Sequence, residues 1–250
     1  MPSTEGGTPL RDGAVTQFAV LDALMTGVYS SGIPVSQLRR WGDTGIGCCE
    51  GLGGEVLLID GEAFECTVDS APRRMADDET LPFADVCHFG EVAGESVVDA
   101  DLDALTAAVE DRLLSRNLFH AVRIDGVVAR IRTRVTAREG VPARPLAAVA
   151  AEQIETETID RAGVIVGFWM PGIYQGITVA GLHLHFLSAD RLVGGHVLDV
   201  RIDEAILRVS AFAQFSLLLP LDPDFLSAEL THGEDHRIST IEGGARSRGE

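Results

Sequence analysis

The sequence predicts an α+β fold in which mainly antiparallel β-sheets form two strand-rich halves, with a few helices. Short runs of aliphatic and β-branched residues alternate with glycine-containing turns, which is typical of β-hairpins. The Asp60-Gly61 pair between two such runs is a strong hairpin signal. By contrast, Leu102, Leu105 and Val109 recur at helical spacing and predict an amphipathic helix. A chain of 250 residues can bury a sizeable core, as one large domain or two small ones.

Predicted elements follow one another through most of the chain. A short strand and a helix begin near Ala14, and Pro34 opens a second short helix. Asp99 or Asp101 caps the amphipathic helix. Asp125-Gly126 repeats the Ile-Asp-Gly sequence of residues 59–61 and predicts a second hairpin turn. Further predicted strands cover residues 45–49, 55–59, 63–68, 81–89, 118–124, 127–134, 153–160, 164–169, 197–202 and 206–219, with a short helix at 146–152.

The chain divides into four predicted parts. Residues 1–12 are expected to be a disordered tail, and residues 13–135 an N-terminal mixed α/β half. Residues 136–223 form the C-terminal β-rich half, which contains the histidines discussed below. The polar residues 224–250 form a C-terminal tail.

Charge and composition exclude several classes of function. The net charge of -18 argues against nucleic acid or an anionic membrane as a partner, since both require a positive surface. All twenty basic residues are arginine, and the chain contains no lysine. Schiff-base chemistry, pyridoxal phosphate enzymes and P-loop nucleotide binding all need a lysine amine. If the protein catalyses a reaction through a carbanion, that carbanion must therefore be stabilised by a metal, another cofactor or hydrogen bonds.

The ends and the cysteines predict a soluble cytoplasmic protein. The first residues are polar and glycine-rich without the apolar segment of a secretory signal, and no apolar run is long enough for a membrane helix. The four cysteines, Cys48, Cys49, Cys66 and Cys87, lack zinc-binding spacing and are expected to be reduced, partly buried thiols.

Three histidines in one segment predict a metal site. His183 and His185 are two residues apart in an apolar run, so on a strand both imidazoles point to one face. A hairpin turn centred between Asp190 and Arg191 would place His185 directly opposite His196. A single histidine here would be an ordinary core residue, but three buried together are costly unless they bind something. Three neutral imidazoles suit zinc, iron, copper or nickel, and an open fourth position is typical of catalytic zinc.

Charged residues also occur on two of the predicted strands. Glu55 begins an apolar strand, where a carboxylate is either a solvated strand-end residue or a functional group. Arg130, Arg132 and Arg134 alternate along one strand and share a face, which by itself indicates a solvated surface.

Several blocks of the sequence resemble the α-acetolactate decarboxylase family. The most specific block is residues 164–199, VIVGFWMPGIYQGITVAGLHLHFLSADRLVGGHVLD, with its G-x-H-L-H-F and G-G-H-V-L segments. The resemblance extends upstream through LFHAVRIDGVVARIRTR (118–134), LPFADVCHF (81–89) and RRWGDTGIGCCEGLGGEVLLIDGEAF (39–64). The blocks occur in the order and spacing of the family and cover about nine tenths of the chain.

This resemblance implies a reaction, a metal and a set of site residues. It implies decarboxylation of (2S)-2-acetolactate to (R)-acetoin and CO2 through a chelated enediolate, in acetoin and butanediol biosynthesis. Zn2+ would be held by His183, His185 and His196, and the protein would be a homodimer acting on a small molecule. Glu55 and Arg134 match catalytic positions of the family, although the sequence departs from the T-R-T-V-P-[KR]-Q block directly after Arg134.

The family also implies that the C-terminal tail folds back over the metal and supplies a second glutamate. Counting from His183 without gaps places this residue at Glu242, with Glu234 as the alternative.

Two other functions are compatible with three histidines and carboxylates. One is another metalloenzyme, either a hydrolase or a cupin-like dioxygenase, and the other is a non-catalytic metal-binding domain. A small pocket shared by Glu55, Arg134 and His183 would favour the decarboxylase, whereas a long groove would favour a hydrolase. A closed, fully coordinated metal would favour the non-catalytic domain.

Overall fold

The computed structural model describes residues 8–140 and 143–230, which form two β-sheets and five short helices. The thirteen strands are β1 (Leu10–Phe18), β2 (Ile33–Pro34), β3 (Thr44–Cys48), β4 (Glu55–Ile59), β5 (Glu62–Cys66), β6 (Arg73–Arg74), β7 (Thr80–Leu81), β8 (Phe83–Cys87), β9 (Glu95–Asp101), β10 (Phe119–Val135), β11 (Ile154–Met170), β12 (Gly181–Ser188) and β13 (Gly194–Leu218). The helices are α1 (Leu21–Met25), α2 (Val35–Leu38), α3 (Leu102–Glu110), α4 (Leu146–Ala150) and α5 (Pro223–Ser227). The predicted α+β class is confirmed.

Eleven strands pair in one mixed sheet, and β2 and β7 form a separate two-stranded sheet. The order in the large sheet is β10-β11-β12-β13-β1-β8-β3-β4-β5-β6, while β9 pairs with β13 beside this path. Because β10 also pairs with β13, the last four long strands pair with one another in a closed ring. β1 joins this ring to the N-terminal strands, parallel to β13 on one side and antiparallel to β8 on the other.

The first strand begins earlier than expected. β1 starts at Leu10, so the last residues of the predicted tail 1–12 belong to the sheet. The proposed boundary at residue 135 between two halves remains a prediction, but the strands on both sides of it share the same sheet.

The predicted hairpin around Asp125-Gly126 is wrong. Residues 119–135 form one continuous strand, β10, which pairs with β11 on one side and β13 on the other. Gly126 is required for close approach, because a Cβ atom there would collide with Glu204 O and with Ala205. At the other Ile-Asp-Gly sequence, Asp60 and Gly61 have φ of 52° and 79°, which is the left-handed pair of a tight hairpin turn.

Two pairs of predicted strands are also continuous. Residues predicted as 153–160 and 164–169 form the single strand β11, and those predicted as 197–202 and 206–219 form β13. The breaks were expected at short polar stretches, yet Asp203 and Glu204 lie on exposed positions of β13 while Ile202 and Ala205 are buried. The register against β10 shifts here, from Val127 opposite Glu204 to Val128 opposite Ile202, so Asp203 is the extra residue of an irregularity that the strand passes through without ending.

The amphipathic helix is confirmed as α3. Asp101 is its N-cap and accepts a hydrogen bond from Ala104 N at 2.9 Å. Leu105 and Val109 are fully buried against the ring strands, so this helix is a part of the scaffold.

A hydrophobic cluster between the N-terminal strands and the ring holds the two sets of strands together. Ile46 and Leu57, from β3 and β4, belong to the same cluster as Phe168, Leu187 and Phe212 from the ring. Each such side chain contributes about 1.5–3 kcal/mol when fully buried. This packing fixes β4 beside β12, where the candidate site lies.

Candidate metal centre

The β12–β13 hairpin has the register that the sequence predicts. His185 is opposite His196, Phe186 opposite Gly195 and Leu187 opposite Gly194. The turn is fixed by Ser188, whose hydroxyl donates to Asp190 Oδ1 at 2.7 Å and accepts from the Leu192 and Val193 amides at 3.1 and 3.0 Å. This local network sets the pairing that brings the histidines together.

Gly195 lets β13 approach β10 just before His196. Its φ is +147°, and a Cβ atom there would lie 2.6 Å from Arg134 O. The backbone at this position therefore favours glycine. The result is that His196 is paired with His185 on one side and with Arg134 on the other.

The three imidazoles converge on one point. His183 Nε2 lies 3.1 Å from His196 Nδ1 and 3.2 Å from His185 Nε2. The three candidate ligand nitrogens all lie within 4.8 Å of one another. Two nitrogens bound at about 2.1 Å to a tetrahedral zinc ion are ~3.4 Å apart, so the observed spacing fits such an ion.

Burial keeps these histidines neutral, which is the form that binds metal. Desolvation, together with the nearby charge of Arg134, lowers the pKa of His183 to about 4. Burial also lowers the pKa of His185 and that of His196, with the neighbouring histidines adding to the effect. His185 Nδ1 faces Val56 O at 3.0 Å and donates its proton there, so the lone pair of Nε2 points into the cluster.

Glu55 and Arg134 lie beside the histidines. Glu55 Oε2 is 3.4 Å from His185 Nε2, and Glu55 Oε1 is 3.6 Å from Arg134 Nη1. Burial raises the pKa of Glu55 to about 7, although the guanidinium of Arg134 opposes this shift. A carboxyl group with this pKa can hold or release a proton near neutral pH. The structure thus brings together five of the six predicted site residues.

The other two arginines of β10 lie on the surface. Arg130 pairs with Glu157 and Asp199 at 3.1 and 2.7 Å, and Arg132 pairs with Glu155 at 3.2 Å. Their expected role as solvated surface residues is confirmed. Only Arg134 of this row reaches the histidine pocket.

Glu242 lies outside the described residues, as does the alternative, Glu234. Nothing in the structure bears on the predicted closure of the tail over the site.

The histidines open into a small pocket of ≈ 170 Å³. Its polar side is formed by Glu55, Arg134 and the three histidines. The opposite wall is apolar and comes from distant parts of the chain: Leu21, Leu24, Leu52, Phe83, Leu146 and Val179. Sequence reasoning missed this wall, because no local pattern marks residues that meet only through tertiary packing.

Cys48 also lines the pocket, opposite Glu55 across the β3–β4 pair. The sequence predicts both strands but no pairing between them, and a register that placed Glu55 opposite Cys48 would have marked Cys48 as a neighbour of the site. All four cysteines are free thiols, as expected, and Cys48 is the least buried of them.

Comparisons with known proteins show the family of this chain. The family model for alpha-acetolactate decarboxylase matches residues 15–232. A relative of that name from Methanosarcina mazei is 34% identical over 227 residues, covering 90% of this chain and 79% of its own. Another, from Lactococcus lactis subsp. lactis, is 34% identical over 216 residues, covering 86% of this chain and 91% of its own.

Solved structures give the same result. The crystal structure of alpha-acetolactate decarboxylase from Bacillus subtilis superposes with a TM-score of 0.86 at 29% identity, covering 92% of this chain and 99% of that one. A Staphylococcus aureus protein described as similar to alpha-acetolactate decarboxylase has a TM-score of 0.84 at 28% identity, covering 92% and 98% of the two chains.

The family match and the curated relatives show an enzyme of the carboxy-lyase class, in agreement with the class predicted from the sequence. The chain belongs to the alpha-acetolactate decarboxylase family. Among the described residues, no helix is both long enough and apolar enough to cross a membrane.

Proposed function

We propose that this chain decarboxylates (2S)-2-acetolactate to (R)-acetoin and CO2 with a zinc ion held by His183, His185 and His196. The observation that carries the proposal is the convergence of three imidazole nitrogens beside a buried glutamate and an arginine in one small pocket. Family membership supports the reaction, and the donor set supports the metal.

The three neutral imidazoles fit a cation better than an empty cluster. His183 Nε2 faces two other ring nitrogens at 3.1 and 3.2 Å, and one proton on it could be donated to only one of them, whereas a cation accepts a lone pair from all three rings. When bound, zinc would supply a Lewis acid that stabilises the enediolate left after loss of CO2.

Arg134 binds and orients the carboxylate of the substrate. Its guanidinium is a planar, permanently charged donor that can make two parallel hydrogen bonds to a carboxylate. The Arg134 side chain is 20% exposed and lies at the polar side of the pocket. It is therefore open to a substrate while it remains fixed next to Glu55.

Glu55 acts as the general acid that protonates the product carbon. Loss of CO2 leaves a carbon that must be protonated, and the buried Glu55 carboxyl group at the polar side of the pocket is placed to deliver that proton. Oε1 faces Arg134 and Oε2 faces His185, so either oxygen is held in a defined position. Delivery from one fixed side of the pocket would give a single enantiomer.

The pocket fits a small substrate. A cavity of ≈ 170 Å³ with an apolar wall opposite the charged groups suits a short keto acid with methyl groups. A hydrolase of polymeric substrates would instead be expected to have a long groove. This favours the decarboxylase over a hydrolase, and an open pocket at the histidines disfavours a closed structural metal site.

The direct test is acetoin formation from racemic 2-acetolactate by purified protein, before chelation, after chelation and after addition of zinc. We expect activity that chelation removes and zinc restores, on half of the racemate and with (R)-acetoin as product. Folded, zinc-loaded protein that forms no acetoin would refute the reaction and favour the hydrolase or dioxygenase alternative. Activity restored by iron(II) but not zinc would refute the choice of metal.

Glu242 is proposed as a second acid/base group, on family resemblance alone. Deletion of residues 231–250 should abolish acetoin formation, and circular dichroism checks that the sheet formed by residues 10–218 still folds. An active truncated protein would remove Glu242 and Glu234 from the mechanism.

Homodimer assembly, a cytoplasmic location and a role in acetoin and butanediol biosynthesis are further proposals from the family. Sedimentation velocity on the purified chain tests the first of these, with a single species of twice the 26.6 kDa chain mass expected.

A further inference from the structure

A second buried carboxyl group lies away from the histidines. Asp85, in the middle of β8, is 1% exposed and belongs to none of the ion pairs among residues 8–140 and 143–230. Its Oδ1 atom has no hydrogen-bond donor in this part of the chain. An ionised carboxylate in such a place is very costly, and burial raises the pKa of Asp85 to about 8.

Gln17 is the cross-strand partner of Asp85 in the β1–β8 pair, so the two side chains lie side by side on one face. Gln17 is completely buried, and its Nε2 donates to Ala19 O and to Ile177 O, both at 2.7 Å. These two bonds fix the orientation of the amide, because a flipped amide would set its oxygen against two carbonyl oxygens. Gln17 Oε1 also has no donor among the described residues.

Ile177 O connects this pair to the candidate metal centre. It accepts from Gln17 Nε2 and also from the backbone amide of Leu21 at 3.0 Å. Leu21 lines the apolar wall of the pocket, and so does Val179, which lies two residues after Ile177 in the chain. The position of this carbonyl therefore sets the position of one side of the substrate site.

We propose that Asp85 is a neutral carboxylic acid whose hydroxyl donates to Gln17 Oε1, and that the Asp85–Gln17 pair is a positioning unit for the wall at Leu21 and Val179. One proton satisfies both unpaired acceptors at once. It also locks the Gln17 amide in the orientation that holds Ile177 O. The kinetic consequence depends on the function proposed above, whereas the protonation and the hydrogen bond do not.

Infrared spectroscopy tests the hydrogen bond without any assay of activity. The difference spectrum between the wild type and Asp85→Asn at neutral pH should contain the carbonyl stretch of one protonated carboxylic acid. The same band should shift in Gln17→Leu, because its acceptor is removed. A difference spectrum with only carboxylate bands would overturn the proposal, whatever the protein catalyses.

Steady-state kinetics tests the positioning role. Asp85→Leu should raise KM for acetolactate on the order of tenfold, because the Gln17 oxygen is left buried without a donor. kcat should change by no more than about twofold, since neither residue touches the reacting atoms. Asp85→Asn should restore KM, because its amide N–H can donate to Gln17 Oε1 as the acid does.

Ile46→Val is the matched control. Ile46 is the other cross-strand neighbour of Asp85 and is 2% exposed, and its alkyl side chain can neither donate to nor accept from the Gln17 amide. The Ile46→Val variant should have a lower Tm and an unchanged KM.

An unchanged KM in folded Asp85→Leu, or an equal rise in KM in Ile46→Val, would overturn the positioning role. If Asp85→Leu does not fold, a tenfold rise in KM for Asp85→Asn would overturn it instead. A wild type without decarboxylase activity would count against the proposed function, and the infrared result would still decide the hydrogen bond.

Discussion

Glu55 occupies a position where a carboxylate is energetically unfavourable, at the buried first residue of β4. A structural carboxylate at a strand end would be exposed or paired at close range with a cation. Arg134 instead lies 3.6 Å from Glu55 and only partly offsets the rise in pKa that burial causes. The unfavourable position of this carboxyl group supports the proposed role of Glu55 in the reaction.

The buried charge gives the metal-free protein a characteristic pH dependence. Burial raises the pKa of Glu55 from an ordinary 4.5 to about 7, so the folded state holds this proton more tightly than the unfolded chain does. The folded state therefore loses stability as the pH rises through this interval, by about 3 kcal/mol in all. We expect metal-free Glu55→Gln to be more stable than the wild type above neutrality and equally stable in mild acid.

Urea unfolding of both proteins over a series of pH values measures this difference. A stability difference that is independent of pH would mean that Glu55 is not desolvated in the folded protein.

Arg134 tests whether geometry or charge matters at the polar side of the pocket. Arg134→Lys keeps the charge but loses the planar pair of donors, so we expect kcat to fall on the order of 100-fold. Arg132→Lys, two residues earlier on the same strand and paired at the surface with Glu155, is the control and should keep normal turnover. Near-normal turnover of Arg134→Lys would exclude bidentate recognition of the substrate.

At the residue scale, the sequence predicted the histidine cluster but not the pocket around it. Strand period and turn position brought His183, His185 and His196 together because those relations are local. Glu55 and Arg134 were assigned from the family resemblance, since no local rule connects β4 with β10. Leu21, Leu146 and Val179 approach the site only through long-range packing.

At the scale of elements, one tripeptide adopts two structures. Ile-Asp-Gly forms a tight turn at residues 59–61 and continues a strand at residues 124–126. Local preference favours the turn in both places, but at Gly126 a partner strand on each side provides hydrogen bonds that a turn would forfeit. Sequence reasoning failed here because those partners lie 37 and 79 residues away, at Gly163 and Ala205.

The two glycines should respond differently to the same substitution. Gly61→Asn should cost less than about 1 kcal/mol, because asparagine tolerates a left-handed backbone and nothing lies within 4 Å of the new Cβ. Gly126→Asn should cost on the order of 3 kcal/mol or more, because its Cβ would overlap the backbone of β13. Thermal unfolding of both variants measures this, and equal losses would contradict the continuous strand β10.

At the scale of the whole molecule, the sheet and the core connect the two predicted halves. β1 pairs with both β8 and β13, and Ile46 and Leu57 share a hydrophobic cluster with Phe168. The hydrogen bond from His185 Nδ1 to Val56 O makes the same connection inside the candidate site. Composition and length left one or two domains open, because they do not reveal which strands pair.

These connections predict that the metal-free protein unfolds in one cooperative transition. Neither the N-terminal strands nor the ring strands can unfold without exposing the shared hydrophobic cluster, so both sets should unfold together. Calorimetry combined with circular dichroism and tryptophan fluorescence checks this, as Trp41 lies before the predicted boundary and Trp169 after it. Two separate transitions would support independent halves divided near residue 135.

The proposed reaction requires a zinc ion where the three imidazole nitrogens converge. Crystallographic anomalous scattering on either side of the zinc absorption edge, on zinc-loaded protein, tests it most directly. We predict one peak per chain within bonding distance of His183 Nε2, His185 Nε2 and His196 Nδ1, and no such peak in His196→Ala. A fully loaded crystal with zinc elsewhere, or with the peak unchanged in His196→Ala, would contradict the proposed metal centre.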